Sequence, residues 1–487
     1  MGHRGLTAAR TAVRLVADPK RVIIRLFLPC GDWRVGAIVD RVMALSEVEV
    51  SSILGRVLDS YSSRHKDISS VFERHYQAIA GQLDGPRPIS KQRRQLIGTY
   101  FTSEYSLESV ALFNPSVVLH PDQRGMSNGK ARFIISLRAC GEGHISSIEF
   151  RSGMIDSSNG ITFDPVPPFV APEGPHDLHV YDKNRFFLKL NEMGGYKPLA
   201  NRILRYLGDK FTFAELQSAI DRVRRRHGGA DSFQELAENM LWLARSSYRL
   251  EFPIDSVISE RVIFPVTENE SRGIEDARFV RFTHDDGCVV YYATYTAYNG
   301  FRSLPQFIET PDFLHFKVYT LNGRCAQNKG MALFPRRIKD RFVMVSRLDG
   351  ENIYLLRSDD IHFWNEADKT HGPVHPWEFT QIGNCGSPLE TEEGWLLLTH
   401  GVGPMREYWM GALLLDLEDP SRVIGHLKDP ILVPTEEDRD GYVPNVVYSC
   451  GGVIHQDELI IPYGISDTST GIATVSVSEL LSHLVRR

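Results

Sequence analysis

A strand-turn-strand pattern in the middle of the chain sets the strongest constraint on the fold. Residues 279–282 and 288–298 are rich in Val, Tyr and Thr, which favour strands, and the sequence HDDG at 284–287 predicts a turn between them. Directly before the first strand, the sequence RGIEDAR at 272–278 carries four ionisable side chains in seven positions. The sequence therefore predicts two carboxylates and two guanidinium groups at the edge of a β-sheet.

This charged segment has two chemical interpretations. Burial and neighbouring charge can raise the pKa of one carboxyl group, so that it keeps a proton for acid catalysis beside an anionic partner. The same four charges can instead form a salt-bridge network that only ties a loop to the sheet, and such networks also perturb pKa values. The residues alone leave both interpretations open.

The composition is that of a globular chain without a preference for polyanions. Of the 487 residues, 42% are hydrophobic and 24% are charged, and the net charge of -6 gives no indication of a nucleic-acid or membrane-surface binder. The six cysteines form no C-x-x-C pair, so we expect free thiols, no metal site and a cytoplasmic location. No apolar run approaches ~18 residues, and we predict neither a membrane-spanning helix nor a signal peptide.

Helical patterns are predicted in two parts of the chain. Residues 1–100 are predicted as an N-terminal helical segment, with a capping box at Ser46 and Glu49, and the Gly- and Pro-containing residues 85–88 predict a linker within it. A second helical region at about 183–250 is predicted as an insertion within a β-rich domain that spans residues 101–487.

One strand pattern in the β-rich part carries two charges. In the sequence SSIEFR at 146–151, alternation places Glu149 and Arg151 on the face opposite Ile148 and Phe150. The two charged side chains are predicted either to line a cleft or to form an exposed cross-strand pair.

The charged segment and the strand that follows resemble the signature of glycoside hydrolase family 130. The usual form in that family is Gly-Val-Glu-Asp-Pro-Arg followed by a Tyr-Thr-Ala-Tyr strand. Here the corresponding sequences are GIEDAR at 273–278 and YTAY at 295–298, so that Ala277 replaces the family's Pro without removing any chemistry. Further similar motifs follow in the family's order: FNPSVV at 113–118, LFP at 333–335, GNCGSP at 383–388, DGYVPN at 440–445 and PYGISD at 462–467.

The resemblance implies roles for individual residues. It makes Asp276 the general acid, which protonates the leaving oxygen through a mannose hydroxyl. The positions that it assigns to phosphate binding are Arg138, Lys329, Arg347, His400 and Tyr408. The residues that we predict to bind the sugar are Asn114, Glu149, Glu275, Tyr298 and Asp467. Lys329 stands where the family often has Arg, and Lys offers a point charge instead of a bidentate contact.

The fold and function that the resemblance implies are specific. We expect a mainly β fold, a five-bladed β-propeller, with the helical segment and the insertion added to it. The implied reaction is inverting phosphorolysis of β-1,2- or β-1,4-linked manno-oligosaccharides to mannose 1-phosphate, with inorganic phosphate as co-substrate and no metal or organic cofactor. Phosphate is an anionic nucleophile, so the site needs cations more than a second carboxylate base. We further expect that the insertion at about 183–250 either borders the cleft or forms an oligomer interface, so that the chain makes a homo-oligomer through its helical regions.

Two alternatives stay open from the sequence. An inverting β-mannosidase needs a base carboxylate roughly 6.5–9.5 Å from the acid, and Glu149 and Glu275 are the candidates. A non-catalytic carbohydrate-binding propeller is the other alternative, and the presence of Asp276 argues against it.

Overall fold

The structure is a computed structural model with a mainly β fold and two groups of helices, which is the predicted class. It describes residues 5–81, 89–171, 176–177, 180–193, 197–227, 231–301 and 303–486. The linker predicted at residues 85–88 lies outside the described residues. Within the described ranges, no helix is both long and apolar enough to cross a membrane.

The N-terminal part of the chain combines strands with helices. Its elements are β1 (Ala9–Leu15), β2 (Val22–Leu26), α1 (Asp32–Met43), α2 (Glu47–Tyr61), α3 (Ile68–Ala80), α4 (Lys91–Tyr100) and β3 (Thr102–Ser106). The capping box at Ser46 and Glu49 is confirmed at the start of α2. The prediction that residues 1–100 are helical was wrong before α1, because the β-branched residues of β2 favour a strand and both β1 and β2 have a strand partner.

The helices of this part pack closely on one another. A Cβ atom on Gly98 of α4 would lie 1.9 Å from the carbonyl oxygen of Phe72 in α3, so the two helix backbones touch at this point. Val39, Leu96 and Phe101 belong to the core beneath them. This core gives the helices a partner surface that short isolated helices lack.

The first sheet region and the helical insertion follow in the chain. The strands of the sheet region are β4 (Ala111–Leu119), β5 (Ala131–Cys140), β6 (Ser146–Ile155) and β7 (Ile161–Phe163). The insertion contains β8 (His176–Asp177), β9 (Tyr181–Asp182), α5 (Lys183–Glu192), α6 (Lys197–Leu204), β10 (Lys210–Phe211), α7 (Phe213–His227), α8 (Asp231–Arg245) and β11 (Tyr248–Glu251). The helices lie where the sequence predicted them and enclose a core of their own that includes Leu190, Ile203 and Leu216.

The rest of the chain is almost entirely strand and turn. The next strands are β12 (Val262–Ile263), β13 (Gly273–Thr283), β14 (Val289–Tyr298), β15 (Ser303–Thr310), β16 (His315–Thr320), β17 (Ala332–Leu333), β18 (Phe342–Ser346), β19 (Ile353–Ser358) and β20 (Glu366–His371). The last elements are β21 (Gln381–Asn384), β22 (Leu389–Thr391), β23 (Gly394–Val402), β24 (Tyr408–Leu415), β25 (Val423–His426), β26 (Val447–Tyr448), β27 (Val453–His455), β28 (Glu458–Ile465), β29 (Ser469–Ser476), α9 (Val477–Ser482) and β30 (Val485–Arg486).

Among the described residues, these strands form five antiparallel sheets of four or more strands. Their strand orders are β12-β6-β5-β4 for sheet I, β13-β14-β15-β16-β11-β8 for sheet II, β17-β18-β19-β20 for sheet III, β21-β23-β24-β25-β30 for sheet IV and β1-β29-β28-β26 for sheet V. Most neighbours within a sheet are consecutive in the chain. The exceptions include β1, which pairs with β29 and thereby brings the N-terminal strand into the last sheet.

The sheets pack on one another in a cycle. Phe150 of sheet I packs with Phe279 of sheet II, and Phe282 of sheet II shares a core with Met344 of sheet III. A core containing Val345 and Leu397 joins sheet III to sheet IV. Two further cores join sheet V to its neighbours, with Leu398 and Ile461 on the side of sheet IV and Ile135 and Ile472 on the side of sheet I. Each sheet therefore contacts the next one, and the last contacts the first.

Candidate active site

The carboxylate of Asp276 is presented by a β-bulge at the start of β13. Glu275 pairs with Thr296 and Arg278 pairs with Thr294, so Asp276 and Ala277 together face one residue of β14. The backbone of Asp276 is left-handed, with φ of 55°. The charged segment thus lies inside the strand and not before it, and the bulge turns the Asp276 side chain out of the strand's regular alternation.

A second bulge, in β4 of sheet I, supplies the partner of Asp276. Phe113 pairs with Arg138 and Ser116 pairs with Ser136, which leaves Asn114 and Pro115 opposite a single residue of β5. Asn114 also has a left-handed backbone, with φ of 47°, and its Nδ2 donates a hydrogen bond to Oδ1 of Asp276 at 2.8 Å. The site is therefore built where irregular points of sheets I and II meet.

Three cations surround the two carboxylates of the charged segment. Arg138 places Nη1 3.4 Å from Oδ1 of Asp276 and Nη2 3.2 Å from Oε1 of Glu275. Lys329 places Nζ 2.5 Å from Oε2 of Glu275. Arg278 donates to the backbone carbonyl of Asp276 at 3.0 Å and to the hydroxyl of Tyr448 at 2.5 Å. Glu275 is thereby held by two cations, whereas the Asp276 carboxylate contacts one guanidinium group and one amide.

A fourth cation, Arg347, lies in a different environment. Its Nη1 donates to Nε2 of His400 at 3.2 Å, and its Nε is buried with no hydrogen-bond partner among the described residues. No carboxylate of the described residues forms a salt bridge with it. His400 stacks on the ring of Tyr408 with 5.9 Å between centroids and meets Tyr448 edge-on at 5.0 Å. Arg347 is thus a positive charge without an acidic partner among the described residues, and the rings of His400 and Tyr408 form a wall beside it.

The pKa of His400 fits its role as an acceptor from Arg347. Burial lowers the pKa of His400 well below its ordinary value, and the positive charges of Arg347 and Arg278 lower it further. The imidazole is therefore neutral at pH 7, and the lone pair on its Nε2 accepts the hydrogen bond from Nη1 of Arg347. No positive charge is added beside Arg347 by this ring.

The two aspartates of the site have pKa values that move in opposite directions. Burial acts to raise the pKa of Asp276, but Arg138, Arg278 and the Asn114 hydrogen bond outweigh it, so the pKa lies below its ordinary value. Burial, together with the negative charge of Asp276, raises the pKa of Asp467 to about 7. Asp467 lies in the turn between β28 and β29 with φ of 50°. In the absence of substrate, Asp276 is ionised at pH 7 and Asp467 is partly protonated.

The structure brings most of the predicted site residues together in two linked groups. The first group, which we call the Asp276 group, contains Asn114, Arg138, Glu275, Asp276, Lys329 and, through its charge interactions, Asp467. The second group, which we call the Arg347 group, contains Arg347, His400 and Tyr408. Tyr448 connects them, because it contacts both Arg278 and His400. The sequence had assigned no role to Arg278 or Tyr448, although Arg278 ends the motif at 273–278 and Tyr448 lies three residues after the motif at 440–445.

Two predicted sugar-binding residues lie apart from these contacts. Tyr298 pairs with Gly273 at the end of the sheet, and its hydroxyl donates to the carbonyl of Gly300 at 3.0 Å. Glu149 has no exposed surface and bonds to Arg21 at 2.6 Å and to Arg151 at 3.1 Å. Both predictions for Glu149, an exposed cross-strand pair and a cleft wall, were wrong, because its charge is neutralised in a buried cluster that also contains Glu108.

Comparison with known proteins finds a matching family model and relatives that cover about half of the chain. The family model for glycoside hydrolase family 130, described as beta-1,4-mannooligosaccharide phosphorylase, matches residues 239–486. The 1,2-beta-oligomannan phosphorylase of Thermoanaerobacter sp. (strain X514) is 35% identical over 218 residues, which are 44% of this chain and 72% of that protein. The beta-1,2-mannobiose phosphorylase of Listeria innocua is 30% identical over 250 residues, which are 50% of this chain and 68% of that protein.

Among solved structures, the beta-1,2-mannobiose phosphorylase of Listeria innocua in complex with beta-1,2-mannobiose aligns with a TM-score of 0.47 and 18% identity. The alignment covers 78% of this chain and 92% of that one.

Proposed function

Because the chain belongs to glycoside hydrolase family 130, we propose that it cleaves β-mannosides by phosphorolysis, with inversion, and releases mannose 1-phosphate. Relatives that match the chain are named as phosphorylases of β-1,2- and β-1,4-linked mannosides. Manno-oligosaccharides with either linkage are therefore the proposed substrates. Inorganic phosphate is the co-substrate, and the reaction requires no other cofactor.

The observation that supports phosphorolysis most directly is the environment of Arg347. A half-buried guanidinium group without a carboxylate partner is costly unless an anion binds it, and phosphate accepts charge-assisted hydrogen bonds from such a group. Lys329 and Arg138 are nearby candidates for further contacts, and Tyr408 offers a hydroxyl beside His400. Four cations, Arg138, Arg278, Lys329 and Arg347, outnumber the three carboxylates of the site, those of Glu275, Asp276 and the partly protonated Asp467, so the site has positive charge to spare for an anion.

In this proposal Asp276 is the general acid that protonates the leaving oxygen. At neutral pH a carboxyl group with a lowered pKa is ionised, so it has no proton to donate until its surroundings change. When phosphate binds Arg138 and Lys329, its negative charge offsets theirs, and the pKa of Asp276 rises. Phosphate is thus both the nucleophile and the ligand that allows the acid to hold its proton. Asn114 orients the Asp276 carboxylate, while Glu275, Tyr298 and Asp467 remain proposed contacts of the sugar.

Hydrolysis receives less support from the same geometry. Glu149, one of the two proposed bases, lies in a separate buried cluster. Glu275, the other, is bound by Lys329 and Arg138 and is the direct chain neighbour of the acid. Both carboxylate oxygens of Glu275 are thus already engaged by cations, Oε1 by Arg138 and Oε2 by Lys329.

We further propose that the five sheets are the blades of a β-propeller and that the chain acts in the cytoplasm. The cycle of cores from sheet I to sheet V, which returns to sheet I, supports this arrangement. The proposed domains are a helical segment up to residue 100 and a catalytic domain over 101–487 that carries the insertion at about 183–250 and also takes up strand β1. A homo-oligomer formed through the helical regions remains a prediction.

One assay tests the reaction. The protein is incubated with β-1,2- and β-1,4-mannobiose, with and without inorganic phosphate, and the products are separated as mannose 1-phosphate and mannose. We expect mannose 1-phosphate in the presence of phosphate and almost no cleavage in its absence. Release of free mannose at the same rate without phosphate would contradict the proposal.

A further inference from the structure

A cavity of about 460 Å³ lies between the helical insertion and the outer part of sheet II. Tyr181, Phe186 and Leu243 contribute apolar surface from the insertion, and Tyr319 and Thr320 line the cavity from β16. The volume lies within the range of ~300–1,000 Å³ that is usual for small-molecule sites. None of the lining residues belongs to the Asp276 group or the Arg347 group, so the proposed function makes no use of this cavity.

The wall formed by the β-sheet side offers neutral hydrogen-bonding groups. Thr320, Asn322 and His362 are more than nine-tenths buried, and Oγ1 of Thr320 has no hydrogen-bond partner among the described residues. Burial and the charge of Arg185 lower the pKa of His362 to about 4, so its ring is neutral at pH 7 and has one donor and one acceptor nitrogen. Such a wall matches the hydroxyl groups of a sugar.

The insertion contributes most of the charge. Arg185, Lys189 and Lys210 line the cavity, against one carboxylate, that of Asp182. Arg185 forms a salt bridge with Asp360 at 3.2 Å, and Lys189 forms one with Glu192 at 3.3 Å. Lys210 is exposed and has no salt bridge with any carboxylate in the described part of the chain. An anionic group at this position of the ligand would complete the charge pairing.

We propose that the cavity binds a hexose phosphate at a second site, separate from the site of cleavage. The sugar hydroxyls bond to Thr320, His362 and their neighbours, the apolar face of the ring lies on the aromatic side chains, and the phosphate meets Lys210. The ligand contacts the insertion on one side and the sheet on the other. Binding of the hexose phosphate therefore stabilises the contact between the insertion and sheet II.

The position of the cavity in sheet II keeps it apart from Asp276. Thr320 pairs with Gln306, and Gln306 pairs with Tyr295, the residue opposite the bulge that carries Asp276. The cavity thus lies at the same end of the sheet as Asp276 but three strands away, which corresponds to roughly 14 Å at ~4.8 Å per strand. A ligand of hexose phosphate size in the cavity does not reach the Asp276 carboxylate.

Calorimetric titration of the full chain with α-mannose 1-phosphate, in the absence of an acceptor sugar, tests the proposal. We expect two binding sites per chain. Lys210→Ala weakens one of them by about ten- to a hundred-fold, since it removes a charge-assisted contact, and Ser247→Trp abolishes the same site by filling the cavity. Arg347→Ala acts on the other site, so failure of the proposed function and failure of this inference are distinguishable.

Two controls complete the experiment. Arg224→Ala removes a cation from α7 that does not line the cavity, and it should leave both sites unchanged. Titration with mannose alone and with inorganic phosphate alone should show weaker binding in the cavity than mannose 1-phosphate. Absence of any site that Lys210→Ala and Ser247→Trp weaken, whether the wild-type protein shows one site or two, would overturn the proposal. Equal affinity of the cavity for inorganic phosphate would overturn the assignment to a hexose phosphate.

Discussion

The Asp276 side chain reaches Asn114 and Arg138 because two bulges, one in β13 and one in β4, turn left-handed residues toward each other. Asn and Asp tolerate this backbone region better than other non-glycine residues. The chemistry at position 276 can therefore be changed from carboxylate to amide without strain in the bulge.

We predict that Asp276→Asn lowers kcat about 10²–10⁴-fold, because it removes the proton donor. The melting temperature should stay close to that of the wild type, since Asn fits the left-handed backbone. Asp285→Asn, in the exposed turn at the other end of the same hairpin, is the matched control and should leave kcat unchanged. Activity of Asp276→Asn within a few-fold of wild type would reject Asp276 as the acid.

The two proposed phosphate contacts differ in a measurable way. Arg347→Ala should raise the KM for phosphate about ten- to a hundred-fold, because it removes a charged contact that no carboxylate of the described residues shares. Lys329→Ala should raise it too, but less, since Lys329 already pairs with Glu275. Because both would contact one ligand, the double variant should show less than the sum of the two effects.

Steady-state kinetics at varied phosphate and fixed mannoside measure both effects. Arg337→Ala, which removes a cation paired with Asp285 away from the site, serves as control. An equal rise in the KM for the mannoside would show that the variants disturb the sugar site instead.

The pH dependence follows from the lowered pKa of Asp276. The acid must be protonated to act, so activity falls as the pH rises through that pKa. Phosphate in the site raises the pKa, and we predict that the alkaline limb of kcat/KM for the mannoside moves to higher pH at saturating phosphate. A profile recorded at low and at saturating phosphate checks this prediction. An alkaline limb that stays in place, or that moves to lower pH, contradicts the proposal that bound phosphate raises the pKa of Asp276.

Sequence reasoning succeeded for residues in contiguous motifs and failed where partners are distant. The motif at 272–278 identified Glu275 and Asp276, and the structure adds the ion pairs that join them to Arg138 and Lys329. The environment of Glu149 was predicted wrongly because Arg21, the partner that neutralises it, lies 128 positions earlier in the chain. Alternation along a strand shows on which face of the sheet a side chain lies, but it does not show which other part of the chain covers that face. The link from Arg278 through Tyr448 to His400 likewise joins three parts of the chain that no local pattern connects.

At the scale of elements, the strongest patterns predicted the strands and helices well. The hairpin of β13 and β14, the helices of the insertion and the capping box of α2 all lie where the sequence placed them. The bulges could not be predicted from the hydrophobic pattern. In a bulge, two residues of one strand face a single residue of its partner, and this arrangement depends on the register between the two strands. Strands β1 and β2 were missed because their short patterns are weak evidence until a partner strand is known.

At the scale of the whole molecule, β1 joins the N-terminal part to sheet V. Arg10 donates to the carbonyl of Val433 at 2.7 Å and pairs with Asp438 at 2.7 Å. Arg10 also bonds to the hydroxyl of Tyr463, 453 positions along the chain. This side chain holds the two ends of the fold together through three partners.

We predict that Arg10→Ala lowers the free energy of unfolding by about 1–3 kcal/mol, because it leaves the mostly buried Asp438 carboxylate without its guanidinium partner. Chemical denaturation measures the change. Arg124→Ala removes a cation that is 92% exposed and pairs only with its neighbour Asp122, and it should have an effect close to zero. Equal effects of the two substitutions would mean that the contacts of β1 contribute little to stability.

The pairing of β1 with β29 also has a consequence for biosynthesis. The ribosome makes β1 before β29, the strand that receives it, and more than four hundred residues separate the two strands in the chain. Throughout elongation, the backbone N–H and C=O groups of β1 lack their final partner and remain open to wrong pairings. Sheet V can therefore be completed only after β29 has been made, and pairing between strands so distant in the chain is of the kind that forms slowly.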